Sequence, residues 1–88
     1  MAPPRLIHSP DPPFTDYARR TKTSGMVVIG LNVDTSGRPQ DVCIVRALGM
    51  GLDEEAVNAV EHYRFAPSTI NGNPVPVAIK IEVNFNIW

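Results

Sequence analysis

The sequence predicts an α+β fold, a three-stranded antiparallel sheet with two helices packed on one face, in the order helix, strand, strand, helix, strand. Three observations carry this reading. Residues 77–87 alternate apolar and polar side chains with the period of two that a half-buried strand requires, and residues 26–34 set Val27, Ile29, Leu31 and Val33 on one face with a half-apolar second face. Asp34-Thr35-Ser36-Gly37 is a hairpin signal standing between the first of these and a second extended stretch, 40–48. Residues 52–65 repeat their apolar side chains at helical spacing.

Taken in order, five of the nine prolines lie in the first thirteen residues, where each ring fixes φ and removes a donor, so an extended polyproline conformation is expected. Residues 1–13 therefore read as the remnant of a proline-rich linker, and residues 14–88 as the folded domain. Residues 15–22 suit a short helix, with Thr15 as N-cap, Asp16 in the first turn and cations near the end; Tyr17 and Ala18 face the core. Ser24-Gly25 breaks it. In the strand that follows, Val27, Ile29, Leu31 and Val33 share one face and Met26, Val28, Gly30 and Asn32 the other, a half-apolar second face that marks a central strand. Gly37 supplies the positive φ of the turn.

The second helix is the best signposted element. Leu52, Ala56, Ala59, Val60 and Tyr63 form its stripe, Asp53 is expected as N-cap with Leu52 and Val57 as a hydrophobic staple, and Glu54 and Glu55 oppose the helix dipole. Pro67 stops it and Asn71-Gly72-Asn73 turns the chain. In the last strand Val77, Ile79, Ile81, Val83, Phe85 and Ile87 face one way, and Ala78, Lys80, Glu82, Asn84 and Asn86 the other. A hairpin whose second strand leads through a helix to a third strand puts the first strand in the middle and leaves both outer strands as edges. The final strand opens with Pro74-Val75-Pro76, and proline is tolerated in sheets mainly at edges and first positions. Trp88 is expected to pack at the end of this strand or in an oligomer contact.

Composition excludes several functions. With 88 residues, 43% of them hydrophobic and 19% charged, the chain fits one globular domain. A net charge of −1 and a pI near 6.0 give no general field for a nucleic-acid backbone or an anionic membrane. The longest apolar runs fall far short of the roughly 18 residues a membrane span needs, so no direct insertion is expected. Cys43, with only His8 and His62 for company, builds neither a disulfide nor a zinc site, and reads as a small packed hydrophobe. Cys43 and His62 lack a third orienting group for nucleophilic catalysis, and Asp53, Glu54 and Glu55 are explained by the helix start. Gly49 and Gly51 lack the Lys-Ser/Thr of a phosphate loop. No enzyme and no cofactor is expected. Arg19, Arg20 and Lys22 form the only basic cluster and read as a solvated helix face.

The pieces Gly25-Met26-Val27-Val28, Val33-Asp34-Thr35-Ser36-Gly37-Arg38, residues 42–45, Leu52-Asp53-Glu54-Glu55-Ala56, Tyr63-Arg64-Phe65-Ala66-Pro67 and Asn71-Gly72-Asn73-Pro74-Val75 together resemble the C-terminal domain of TonB-type energy transducers. The resemblance covers nearly all of residues 14–88 in order and spacing. Departures are Phe14-Thr15 for Tyr-Pro, Ala47-Leu48-Gly49 for Ser-Ser-Gly at the strand-to-helix corner, and Tyr63 for Trp. It implies a periplasmic domain, tethered to the inner membrane in the full-length protein and linked to inner-membrane motor proteins through an N-terminal region. The implied partner is the N-terminal box peptide of an outer-membrane TonB-dependent transporter.

Under this reading the peptide pairs with the open edge of the last strand, by way of the backbone of Val75, Val77, Ala78, Ile79, Lys80, Ile81, Glu82, Val83, Asn84 and Phe85. Force from the motor is then transmitted along that contact for active transport. The same edge can pair with a second copy of the chain to give a homodimer. The alternative is a periplasmic scaffolding module, similar to the TolA connector or fused to a membrane sensor protein, with a partner that is not a transporter.

Overall fold

The computed structural model describes residues 2–10, 12, 15, 19–20 and 24–85. Its elements are β1 (Arg5–His8), β2 (Gly25–Val33), β3 (Pro39–Arg46), α1 (Leu52–Glu61), β4 (Arg64–Ala66), β5 (Ser68–Ile70), β6 (Asn73–Val75) and β7 (Val77–Phe85). The fold is α+β. The main sheet has the order β3-β2-β7 with both pairings antiparallel, so the first long strand is central, as its half-apolar second face predicts.

One face of this sheet makes the core. Val27, Ile29, Leu31 and Val33 of β2 stand in register with Val83, Ile81, Ile79 and Val77 of β7, and α1 adds Leu52, Ala56, Ala59 and Val60. Tyr63 and Phe65 close the end, with ring centroids 6.3 Å apart. Burying each large aliphatic or aromatic side chain contributes about 1.5–3 kcal/mol, the main term that offsets chain entropy.

The β2–β3 turn is tied by Asp34, whose Oδ1 accepts the amides of Ser36 and Arg38, both at 2.9 Å, while Oδ2 accepts the Gln40 side-chain amide at 3.1 Å. The Arg38 amide is the largest of the causes that hold the Asp34 carboxyl below its ordinary range, with the Gln40 contact next. Gly37 takes the predicted positive φ, 81°, and its carbonyl accepts the Phe65 amide at 2.9 Å, so the turn tip is clamped to β4.

Several expectations are corrected. The helix expected over 52–65 ends at Glu61, because Tyr63 and Phe65 are both buried at strand spacing and Arg64–Ala66 pairs with β1. His62 forms the C-cap, its ring Nδ1 lying 2.8 Å from the Asn58 carbonyl. Asp53 is not the N-cap; that place belongs to Gly51 at φ 74°. The Asp53 carboxylate instead reaches back to accept the amides of Leu48 at 2.7 Å and Gly49 at 3.0 Å, which organises the corner before the helix. Cys43 is exposed, not packed.

Of the two helices expected, one stands among the described residues. The first falls mainly outside them; Arg19 and Arg20 are helical and the Arg19 amide donates to the Thr15 carbonyl at 3.1 Å, while Asp16, Tyr17, Ala18 and Lys22 lie outside. Thr15 Oγ1 donates to the Met50 carbonyl at 2.7 Å, joining this segment to the corner before α1. Asn86, Ile87 and Trp88 also lie outside the described residues.

Two small pairings accompany the main sheet. The proline-free tetrad Arg5–His8 leaves the polyproline conformation expected around it and pairs antiparallel with β4. β5 and β6 form a hairpin over Asn71 at φ 52° and Gly72 at φ 81°, the dihedral signs of a type I′ turn. Three-residue strands are too short to show a period, which is why the sequence signalled the turn without the strands.

Candidate functional site at the free edge of the sheet

The candidate residues divide between two strands. Val77, Ala78, Ile79, Lys80, Ile81, Glu82, Val83, Asn84 and Phe85 all lie on β7, but Val75 lies on β6, across Pro76, where it pairs with Ser68 of β5. Val75 thus belongs to a neighbouring hairpin and not to the sheet edge. Along β7, Val83 and Phe85 are buried, Val77, Ile79 and Ile81 are half-buried on the same face, and Ala78, Lys80, Glu82 and Asn84 are exposed on the other.

The two edges of the sheet differ in regularity. β7 pairs with β2 residue for residue from Gly25↔Phe85 to Val33↔Val77, nine pairs without a register shift. Among the described residues no strand pairs with β7 on its other side. β3 shifts register twice, between Val28 and Ile29 and between Gly30 and Asn32. Asp41 sits at the second shift with φ 52°, and its Oδ2 accepts the Asn32 side-chain Nδ2 at 3.0 Å. Such bulges twist an edge and interrupt its row of donors and acceptors, so β3 is a poor template and β7 a straight one.

The shifts in β3 also shape the outer face, the one turned away from the core. Cys43 stands opposite Gly30, and the Cys43 Sγ and a Val45 methyl both lie 3.3 Å from where a Cβ on Gly30 would stand. Between them and β7 runs an open trough of about 390 Å³, lined by Gly30, Asn32, Asp41, Cys43, Val45, Ala78 and Lys80 among others. The bulges had no glycine to announce them. Gly30, a glycine inside a strand, is the sequence signal that could have pointed to the trough. Among the described residues no group of His, Cys, Asp and Glu is placed to hold a metal ion.

The described residues thus form a small α+β domain with β7 as a regular strand edge that no other described strand covers. The chain is a member of the Gram-negative bacterial TonB protein C-terminal family, whose model matches residues 10–87. It is 26% identical over 82 residues to Protein tonB2 of Pseudomonas aeruginosa, a match that covers 92% of this chain and 30% of that protein. It is 28% identical over 75 residues to Protein TonB of Xanthomonas campestris pv. campestris, covering 84% of this chain and 34% of that one. The chain thus spans about a third of the length of the curated relatives it matches.

Among solved structures it is similar to the solution NMR structure of the Pseudomonas aeruginosa TonB CTD, with a TM-score of 0.77 at 19% identity over 99% of this chain and 89% of that one. That likeness is one of fold. TonB C-terminal domains are periplasmic and non-enzymatic, which agrees with the lack of any catalytic constellation in the sequence.

Proposed function

We propose that this chain is the periplasmic C-terminal domain of an energy transducer and that it captures the N-terminal box peptide of an outer-membrane TonB-dependent transporter as a fourth strand on the sheet. The observation that carries this is the unbroken nine-residue pairing of β7 with β2, which presents the opposite edge of β7 as a straight row of main-chain groups. Each main-chain bond is worth about 0.5–1.5 kcal/mol net, while ordering each peptide residue costs about 1–2 kcal/mol, so binding through the backbone alone is weak and side chains decide the partner.

Force follows from the same geometry. A peptide held in the plane of the sheet loads its hydrogen bonds together when pulled along its length. The region preceding this domain in the full-length protein connects to the inner-membrane motor and supplies the pull. β2, in the middle of the sheet, passes the load from β7 into the core through Val27, Ile29, Leu31 and Val33.

The test is an NMR titration of the labelled domain with a transporter box peptide, at a protein concentration where it is monomeric. Saturable shifts of the backbone amides of Val77–Phe85 in contiguous order are expected. Unmoved β7 amides in a folded monomer would sink strand addition, and the function would pass to a scaffolding module with another partner. The monomer condition matters because the same edge accepts a second copy of the chain.

A further inference from the structure

Residues 2–8 lie along residues 64–69 as an antiparallel strap. Ala2 and Thr69 exchange main-chain bonds, the Ala2 amide donating at 2.9 Å and the Thr69 amide at 3.1 Å, and β1 pairs with β4 from Arg5↔Ala66 to His8↔Arg64. One register runs from Ala2 to Leu6, and it sets Pro4 opposite Pro67, where neither residue has an amide to donate. Beyond Leu6 the register slips, and Ile7 is left 69% exposed.

Little besides these bonds holds the strap. All four residues of β1 are exposed, Leu6 among them, and of residues 2–8 only Pro4 is half-buried. An open gap of about 480 Å³ lies between Ala2, Pro3 and Arg5 on one side and Ala66, Pro67 and Thr69 on the other. A segment with exposed main-chain bonds and almost no buried apolar surface opens locally, far below the cost of global unfolding. β4 has its own anchors: the Phe65 ring lies in the core, and the Phe65 amide is held from the other side by the Gly37 carbonyl at 2.9 Å.

Resting on the transducer reading for the source of the pull, we propose that β1 is a strap that tension releases. While it is closed, a pull on the chain before Ala2 is resisted at β4 and β5 and passes through the Phe65–Gly37 bond into the β2–β3 turn. β7 lies off that path. Once the strap opens, the next described tie is Thr15, whose Oγ1 donates to the Met50 carbonyl at 2.7 Å, and beyond it the chain enters the sheet at Gly25. Gly25 begins the central strand opposite Phe85, so the load then reaches the pairing of β2 with β7. A slack tether leaves β7 unloaded, and a taut one engages it. Release lengthens the tether by at most about 45 Å, the contour from Ala2 to Thr15 at roughly 3.3–3.6 Å per residue.

Two measurements on the 88-residue chain test the release. Hydrogen exchange compares the Thr69 amide, bonded to the strap, with the Phe65 amide, bonded to Gly37. Thr69 is expected to exchange about 100-fold faster or more, in an opening nearly independent of urea, while Phe65 exchanges with the core strands. Ala2→Pro removes the donor of the 2.9 Å bond and is expected to speed Thr69 by a further 2- to 10-fold or about that, with Phe65 unchanged. In optical tweezers the chain is held by its N-terminus and by a cysteine placed on the exposed side of α1, Asn58→Cys together with Cys43→Ser. A reversible first step of at most about 45 Å is expected below the force that unfolds the core, and it is expected to vanish in a chain beginning at Ser9.

Equal exchange at Thr69 and Phe65, or a strap that gives way only together with the core, overturns the proposal. So does a chain from Ser9 that fails to fold, because β1 would then support the core. No transporter peptide enters these readouts, so their failure is distinct from a failure of strand capture at β7.

Discussion

Gly37→Ala isolates a contact between the hairpin turn and β4. Gly37 and Gly72 share the same φ, 81°, so an alanine at either carries the left-handed strain of about 1–2 kcal/mol. Their surroundings differ. A Cβ on Gly72 meets nothing within 4 Å, whereas one on Gly37 would lie 1.9 Å from the Phe65 carbonyl oxygen and 3.0 Å from its carbon. Non-bonded heavy atoms rest at about 3.5 Å, so β4 must retreat by more than roughly 1 Å.

That retreat breaks the 2.9 Å bond from the Phe65 amide to the Gly37 carbonyl and disturbs the pairing of Phe65 with Leu6. A lost bond that strands a buried amide costs about 1–3 kcal/mol, and shifting the buried Phe65 ring adds to it. Gly37→Ala is therefore expected to destabilise by about 3–5 kcal/mol, against a total of roughly 4–13 kcal/mol for a chain of 88 residues. Gly72→Ala is expected to cost only about 1–2 kcal/mol. Thermal and urea unfolding read the pair: at about 4–8 °C per kcal/mol, Gly72→Ala lowers Tm by roughly 5–15 °C and Gly37→Ala by roughly 12–40 °C. Equal losses in the two variants would refute the argument, since the strain is common and only the Phe65 carbonyl distinguishes them.

Phe85→Ala removes a ring that is 1% exposed at the end of β7 and is expected to cost about 3–5 kcal/mol by urea melts; a near-native melt would show that the edge strand is not anchored in the core. Ser68 Oγ is fully buried with no hydrogen-bond partner among the described residues, so Ser68→Ala is expected to leave Tm unchanged or raise it, and a loss above about 1 kcal/mol would mean that the hydroxyl is bonded. The Asp34 carboxyl titrates below its ordinary value of 3.8 in the folded state, so its stabilisation is present above that value and disappears as pH falls through the lowered one. The stability gap between wild type and Asp34→Ala is therefore expected to close on acidification, and a gap that stays constant from neutral to strongly acid pH would contradict the assignment. Asp53→Ala strands the Leu48 and Gly49 amides and is expected to cost about 1–3 kcal/mol, with hydrogen exchange rising at those two amides; unchanged exchange there would place their partner elsewhere.

The amino-acid sequence by itself determined the elements whose signals are local and long. Period-two alternation marked residues 26–34 and 77–87, the helical stripe from Leu52 to Tyr63 marked α1, and Asp34 to Gly37 marked the turn between them. The half-apolar second face of β2 was enough to place it at the centre of the sheet. Short or singly placed features escaped. Arg5–His8 pairs with β4 because Phe65 and Ala66 lie opposite it, and nothing within the tetrad announces that partner.

Tyr63 continues the helix stripe of α1, but Phe65, two residues on, lies at strand spacing from it, and the Gly37 carbonyl claims the Phe65 amide. Asp53 has the residue type of an N-cap, yet its carboxylate turns back because Gly49, Met50 and Gly51 all adopt positive φ and bring the Leu48 and Gly49 amides to it. The choice between the two edges also belonged to tertiary structure. Alternation in a sequence reports which face of a strand is buried, but the regularity of an edge depends on register with a neighbour distant in the chain. Only the pairing of β3 with β2, slipped at Asp41 and again near Val45, and the unslipped pairing of β7 with β2 make β7 the more regular of the two edges.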